Sequence, residues 1–356
     1  MGIGLAEAER ALGSGDEETR RAAVAGLEAD PADADRAIAL LISAMGDASW
    51  RVRKEAAARA GGWPDRPRVA AALTLALAEP ENVGRRNAAI EALVALGSEA
   101  VAPIESALAA GPEHRKVLAD TLGLIGDRSG TAPLTALLDD PDANVRIAAS
   151  EALGAIGGAA AEAALAGALE RWRGDRLLTR AALDALNRSG ARLSPGELVP
   201  LLAEPTLRAP VLAALGRAGD EAGLVPLIIA LGDRARSVRE AAILALADLH
   251  ARAEPDAQRR IRDRVAQAGA LEPVLVPALL EGTAGVQRAA AQVLGLSGHA
   301  QAVRPLALAL GDPELREAAL SALAMIGPVA VEALIALAPD LEGRLKAEVY
   351  SLLPEL

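Results

Sequence analysis

The sequence predicts an all-α protein, an α-solenoid of about ten helical-hairpin repeats. Two observations predict the fold. One spaced pattern recurs ten times along the 356 residues, with its apolar positions at helical intervals. The chain also holds no Phe, no Cys, one Tyr and three Trp, so its apolar mass is Ala, Leu, Val and Ile. A compact core of this length normally leans on aromatics, which bury the most area per side chain. Small residues let helices approach closely, and Ala is the best helix former. Strands favour β-branched and aromatic residues, and no stretch alternates apolar and polar cleanly.

The clearest copy runs from Asp140 to Gly157, DPDANVRIAASEALGAIG. Its markers are Arg146 and Leu153, seven residues apart. The same pair recurs at Arg20/Leu27, Arg53/Ala60, Arg86/Leu93, Arg115/Leu122, Thr179/Leu186, Arg208/Leu215, Arg239/Leu246, Gln287/Leu294 and Arg316/Leu323. A third marker lies four residues beyond the Leu position. It is Gly at 97, 126, 157, 190, 219, 298 and 327, and Pro or His at 31, 64 and 250. Each marker has a physical reason. The apolar positions form one face of an amphipathic helix, called helix B here. Gly at its end takes a left-handed cap cheaply. Asp-Pro before it opens the helix, since Pro is tolerated in a first turn. An apolar helix A precedes it, with Pro103, Pro133, Pro226 and Pro305 near its start. One such hairpin cannot bury its apolar face alone, whereas stacked hairpins bury a continuous core.

This pattern resembles the HEAT family, in particular the short HEAT-like repeats of phycobilisome lyases. The matching features are Asp-Pro, Val-Arg, the Ala-Ala pair, Leu and Gly, over roughly residues 4–338. The resemblance implies a superhelical rod whose B helices line the concave face. It also implies that the repeated Arg pairs with an acid of the neighbouring turn, a structural role. Some HEAT proteins are di-iron hydroxylases with repeated His-Glu pairs, and this sequence has no such pair.

The steps between the arginine positions are 33, 33, 29, 31, 33, 29, 31, 48 and 29. The step of 48 breaks the rhythm. We therefore expect repeats over 1–249, a helical insertion over 250–272, further repeats over 273–338 and a C-terminal capping helix over 339–356. The insertion carries Arg259, Arg260, Arg262 and Arg264, with Ile261, Val265 and Ala268 on one helical face. It is either a packing adjustment between two stacks or a binding element, since insertions in solenoids often sit on a binding face. The apolar end, Leu352 to Leu356, either folds back as a cap or meets a further domain or partner.

The chemistry of catalysis is sparse. Without Cys there is no disulfide, thiolate zinc site or cysteine nucleophile. His114, His250 and His299 lie in different repeats and outside metal-binding spacings. Paired acids such as Glu17-Glu18 and Asp139-Asp140 fall at helix starts, where they complement the helix dipole. Trp50, Trp63 and Trp172 stand near turns and read as packing plugs. A tetrapyrrole pocket would want aromatic walls that the composition does not supply. No cofactor, metal or small-molecule substrate is expected.

The start, Met1 to Ala6, has no signal-peptide pattern, and Ala6 departs from the myristoylation motif. No apolar run reaches the roughly 18–20 residues of a membrane span. The chain reads as soluble and cytoplasmic. Its Ala-rich, Arg-over-Lys usage points to a GC-rich bacterial genome.

A net charge of −11 disfavours general nucleic-acid binding and leaves room for a local basic face. Such a face is readable one position after the marker Arg, at Arg21, Lys54, Lys116 and Arg180, with Arg85 beside the row. Equivalent positions on successive B helices form a stripe along the rod. The row later turns mixed, with Glu240 and Glu317. These charges are either solvated helix starts or a docking stripe. The reading that follows is a non-catalytic scaffold or adaptor. It grips an acidic or helical segment of another protein with Arg21, Lys54, Arg85, Lys116 and Arg180, and with Arg259, Arg260, Arg262 and Arg264. Two other classes remain: a nucleic-acid binder using the same stripe, and an accessory subunit of a modifying enzyme.

Overall fold

The computed structural model describes the chain apart from Met1, Ala29, residues 78–81, Pro112 and residues 354–356, and apart from the Arg344 side chain. Among the described residues the secondary structure is helical, and the one β-type pairing is an isolated bridge between Ile3 and Leu27. The chain divides into two compact units, Met1–Ser189 and Gly190–Leu356. Each is an α-solenoid of stacked hairpins.

In the first unit the A helices are Leu5–Leu12, Ala34–Ala44, Arg66–Ala76, Val101–Ala110, Thr131–Leu137 and Ala159–Arg171. The B helices are Glu17–Gly26, Trp50–Gly61, Val83–Leu96, Arg115–Ile125, Ala143–Ile156 and Arg176–Ser189. In the second unit the B helices are Arg208–Ala218, Arg236–Arg252, Ala284–Ser297 and Arg316–Ile326. Their A partners are Leu224–Ala230, Glu272–Glu281 and Val303–Ala309, while the first A position holds only Pro195–Leu198 and two 3-10 turns. Within each unit every B helix packs on its own A helix and on the next B helix.

The ten marker apolar positions, nine Leu and Ala60, are all buried. They are the seam on which the layers meet. Helix starts are fixed by side-chain caps: Asp16, Ser49, Asn82 and Asp142 each accept a backbone N–H of the first turn. Helix ends are fixed by the third marker. All seven of its glycines have positive φ, from 63° at Gly97 to 82° at Gly190. At 250 the marker is His, which enters that conformation less readily than Gly. There the B helix runs on to Arg252, and one additional helix, Pro255–Ala266, follows before the next hairpin. Ile261 and Val265 bury its inner face.

The stretch Val83–Ala110 is long and apolar enough to cross a membrane by length and composition. Gly97, at φ 63° and ψ −133°, divides it into a B helix and the following A helix. The buried faces of both belong to the hairpin core.

Two devices set the spacing of the B layer. The first is a close approach eight residues after the marker. A Cβ at Gly154 would fall 2.8 Å from both Cα and the carbonyl oxygen of Ala185 on the next B helix. Gly216 meets Ala245 and Gly295 meets Ala322 in the same way, each with a Cβ-to-Cα distance of 2.7 Å. Gly123 meets Ala152 at 2.9 Å. Only hydrogen fits on one side and a methyl on the other.

The second device is a ladder of arginine and aspartate. Arg20 donates Nε and Nη2 to the two carboxylate oxygens of Asp47 at 2.8 and 3.0 Å. Arg53, on the next B helix, donates Nη1 to the Asp47 carbonyl at 2.8 Å. The same rung recurs as Arg115, Asp140 and Arg146, and again as Arg208, Asp233 and Arg239. Each of these aspartates also accepts the backbone N–H two residues on, at Ser49, Asp142 and Ala235. Successive rungs place their aspartates 93 residues apart, a period of three hairpins. Where Thr179 replaces Arg, its hydroxyl donates to the Trp172 carbonyl at 2.7 Å and keeps the turn closed. The last rung differs: Arg316 pairs with Glu348 of the terminal helix Gly343–Leu352 at 2.8 Å.

Two predictions follow from these devices. Gly154→Val must push the Ala185 backbone away, and overpacking of this kind costs about 1–3 kcal/mol. Urea unfolding will show it as a lower midpoint. For the ladder, the Arg20 guanidinium and then the Ser49 N–H hold the Asp47 carboxyl below its ordinary value of 3.8. A lowered folded value means the carboxylate stabilises the fold above pH ~3.8 and stops doing so as pH falls through that lowered value. The stability advantage of wild type over Asp47→Asn is therefore full at pH 7 and closes in acid, measured by urea midpoints from pH 7 to pH 2.

Candidate functional site

The residues one step after the ladder point away from the core on the B-helix face. The structure brings two of the expected cations together. Glu18 and Arg21 from Glu17–Gly26, and Trp50, Arg51, Lys54, Glu55 and Ala58 from Trp50–Gly61, line a groove of about 450 Å³. Trp50, Lys54 and Ala58 are spaced four apart, so they share one stripe of the helix. All three are exposed.

Trp50 was expected to be a packing plug, and it is not one. Trp63 and Trp172 are buried, at 2% and 8%, whereas Trp50 is 61% exposed. The reason is local: Ser49 is the N-cap, so Trp50 is the first helical residue, set outward from the layer. The Arg51 guanidinium stands 5.8 Å from the indole centroid, within range of a cation–π contact. Helical periodicity marks a Trp as apolar but does not say whether a neighbouring helix covers it.

Most charges in the groove are already matched. Arg21 donates to Glu18 and Glu55, both at 3.0 Å, and these two acids raise its pKa above the ordinary arginine value. Arg51 pairs with Glu17 at 3.3 Å and Glu18 at 3.7 Å. Lys54 makes no ion pair among the described residues.

The other expected cations lie elsewhere. Arg85 is half-buried, packed so close to Gly46 that a Cβ there would meet its Nη2 at 2.9 Å. Lys116 pairs with Asp120 at 2.8 Å and Arg180 with Asp184 at 3.2 Å, each four residues along its own helix. Arg259, Arg260, Arg262 and Arg264 are all exposed on the additional helix. Arg259 pairs with Asp256, and Arg260 with Glu221, whose pKa that guanidinium lowers. Arg262 and Arg264 make no ion pair among the described residues. Arg262 also adds its charge to the burial that lowers the His250 pKa.

Further grooves lie in the second unit, and two of them are roomy. One, of about 620 Å³, opens where the short first A position leaves Val199, Leu202 and Ile229 uncovered. Of its two cations, Arg208 is held by the Asp233 rung and Arg234 is exposed. The other, of about 760 Å³, has Asp248, Arg288, Glu314 and Glu317 around a floor of small residues.

The family model for HEAT repeats matches residues 7–94 and 101–187. The chain is a HEAT-repeat protein. No curated protein sequence matches it significantly. Among solved structures it is similar to a mutant of Kap121p, with 14% identity and a TM-score of 0.51, over 98% of this chain and 43% of that one. It is also similar to the karyopherin Kap121p bound to the extreme C-terminus of the phosphatase Cdc14p, with 15% identity and a TM-score of 0.50, over 94% and 44%. An engineered protein matches over 97% of both chains, with 22% identity and a TM-score of 0.45. The chain thus spans under half the length of the karyopherin. At such identities the likeness concerns the fold alone.

Among the described residues of this HEAT-repeat chain, no group of three or more metal-ligating side chains converges. His299 serves the scaffold. Its Nε2–H donates to the Ala266 carbonyl at 3.2 Å, and Nδ1 lies 3.0 Å from Glu272 Oε1. It thereby ties the end of the additional helix to the hairpin that follows. His299→Ala is expected to speed amide exchange in Pro255–Ala266 and leave Trp50–Gly61 unchanged, as measured by hydrogen–deuterium exchange.

Proposed function

We propose that this chain is a non-catalytic scaffold that binds another protein along the B-helix face of its first unit, gripping an acidic or helical segment. The observation that carries the reading is the exposed Trp50 in a groove beside Lys54, which makes no ion pair among the described residues. Aromatic and arginine side chains at the centre of a surface groove are the usual anchors of protein interfaces. The fold also suits the role, because stacked hairpins present an extended surface on which contact is spread over several repeats. Kap121p, whose fold this chain shares, is seen bound to a segment of a phosphatase. Internal neutralisation of Arg21, Arg51, Lys116 and Arg180 disfavours a phosphate backbone, which needs cations free to displace counterions.

The test is affinity capture from nuclease-treated lysate of the source organism, with mass spectrometry of what is retained. Wild type is compared with Lys54→Glu and with Arg262→Glu/Arg264→Glu. The expected result is a discrete set of proteins retained by wild type, lost with Lys54→Glu and kept by the double variant. Loss only in the double variant would move the docking face to the additional helix. Retention of nothing, or binding only to nucleic acid with a steep salt dependence, would overturn the scaffold reading.

A further inference from the structure

The groove between Glu17–Gly26 and Trp50–Gly61 has an unusual charge balance. Three cations and two acids line it, and Glu17 stands at its edge. Arg21 is shared between Glu18 and Glu55, and Arg51 between Glu17 and Glu18. Two arginines thus serve three acids, so the charges of the groove sum to zero, and Lys54 is its one charged side chain without an ion pair among the described residues. It stands one helical turn from Trp50 on the same stripe. The Arg51 guanidinium stands over the indole at 5.8 Å, and the Trp50 side chain remains largely exposed.

We propose that this groove is a recognition site for a peptide segment of a partner protein that carries one acidic side chain and one large apolar side chain about a helical turn apart. The carboxylate meets Lys54, and the apolar side chain lies on the exposed surface of Trp50. The proposal rests on the scaffold reading and names the chemistry of its partner. A basic segment is disfavoured by the same pairing. It would bring like charge to Lys54, and the acids it would meet are already paired with Arg21 or Arg51. A polyanion is poorly served too, because only one cation is free. An apolar segment without an acid would cover Trp50 but strip water from the ammonium beside it, a desolvation with no return.

The geometry also says how the two anchors divide the work. Trp50 supplies area that is already ordered at the start of a capped helix, so little side-chain freedom is lost on binding. Lys54 supplies selection, because its charge discriminates among segments of equal apolarity.

The experiment pans a randomised 16-residue peptide library on the full chain, wild type, Trp50→Ala and Lys54→Glu in parallel. Trp50 is largely exposed and Lys54 lies on the surface, so both variants are expected to keep the wild-type unfolding midpoint. Wild type should enrich peptides with Asp or Glu three or four positions from Leu, Ile, Phe or Trp. An enriched peptide free of Trp should then shield Trp50 from acrylamide quenching, which is readable because the other two tryptophans are buried. Its affinity should fall at least about tenfold in Trp50→Ala, a typical loss for an aromatic anchor. Trp50→Phe should recover part of that loss. Lys54→Glu should weaken acidic peptides and shift enrichment towards basic ones.

Enrichment of basic or uncharged peptides by wild type would overturn the proposal, as would peptides indifferent to Trp50→Ala. In either case a protein retained from lysate by the B-helix face would leave the scaffold reading standing. If the library yields nothing and the lysate yields no protein, both fall together.

Discussion

The closest approach of successive B helices governs the structure. At Gly123, Gly154, Gly216 and Gly295 the backbone of one helix sits where the Cβ of any other residue would strike the Ala of the next. Helices this close can carry only small side chains between them. That explains an apolar content made of Ala and Leu, with no Phe anywhere in the chain. It also fixes register. Because each contact pins one helix against the next, the marker arginine of one turn faces the aspartate of the following turn, and the ladder can form. Ion pairing of partly buried groups would be a weak source of stability on its own. Here the guanidinium also satisfies carbonyls that the turn leaves open, so the ladder closes hydrogen-bonding accounts that packing alone cannot.

The electrostatics follow a similar logic of local balance. A net charge of −11 suggests a uniformly acidic surface. The actual surface is a set of short-range pairs, many of them four residues apart on one helix or between neighbouring B helices. Such exposed pairs contribute little to stability. Their consequence is for recognition. Cations without an ion pair are scattered among these pairs, and their positions say more than the total does. Lys54 beside Trp50 is one such place, and Arg262 and Arg264 on the additional helix are another.

The fold was legible in the sequence because its determinants are local. Leu at the seam, Gly in a left-handed cap and an N-capping Asp or Ser each act within a few residues of themselves, and a repeat displays them ten times over. The marker glycines illustrate this well: all seven hold positive φ. The step of 48 was legible as a break, and the structure shows what fills it: the B helix runs past His250 to Arg252, and the helix Pro255–Ala266 follows. The candidate site was only half legible. Arg21 and Lys54 could be placed on one face by spacing. The pairing of Arg21 with Glu55, on the next B helix, could not, because spacing along one helix does not show which side chains meet across two. Trp50 was misread for the same reason. A large apolar residue at a helix start is covered or uncovered according to the helix beside it. The aspartate six residues before Arg53, Arg146 and Arg239 was visible in all three copies, and its constancy against a variable following residue was the signal that could have identified the ladder.

The ladder and the groove are joined at one point, and the join bears on how the groove would bind. Asp47 takes Arg20 on its carboxylate, Arg53 on its carbonyl and the Ser49 N–H on Oδ1. Ser49 in turn caps the N–H of Arg51 through its hydroxyl at 3.2 Å. Trp50 lies between these two residues, so its backbone is fixed on both sides by bonds that belong to the scaffold. The aromatic anchor is therefore carried by the best-braced turn of the first hairpins rather than by a mobile loop. A recognition residue on a rigid element loses less freedom on binding than one on a loop. The device that keeps successive repeats in register thus also presents the side chain best placed to meet a partner, and a rung such as Arg20, Asp47 and Arg53 serves both roles at the same residues.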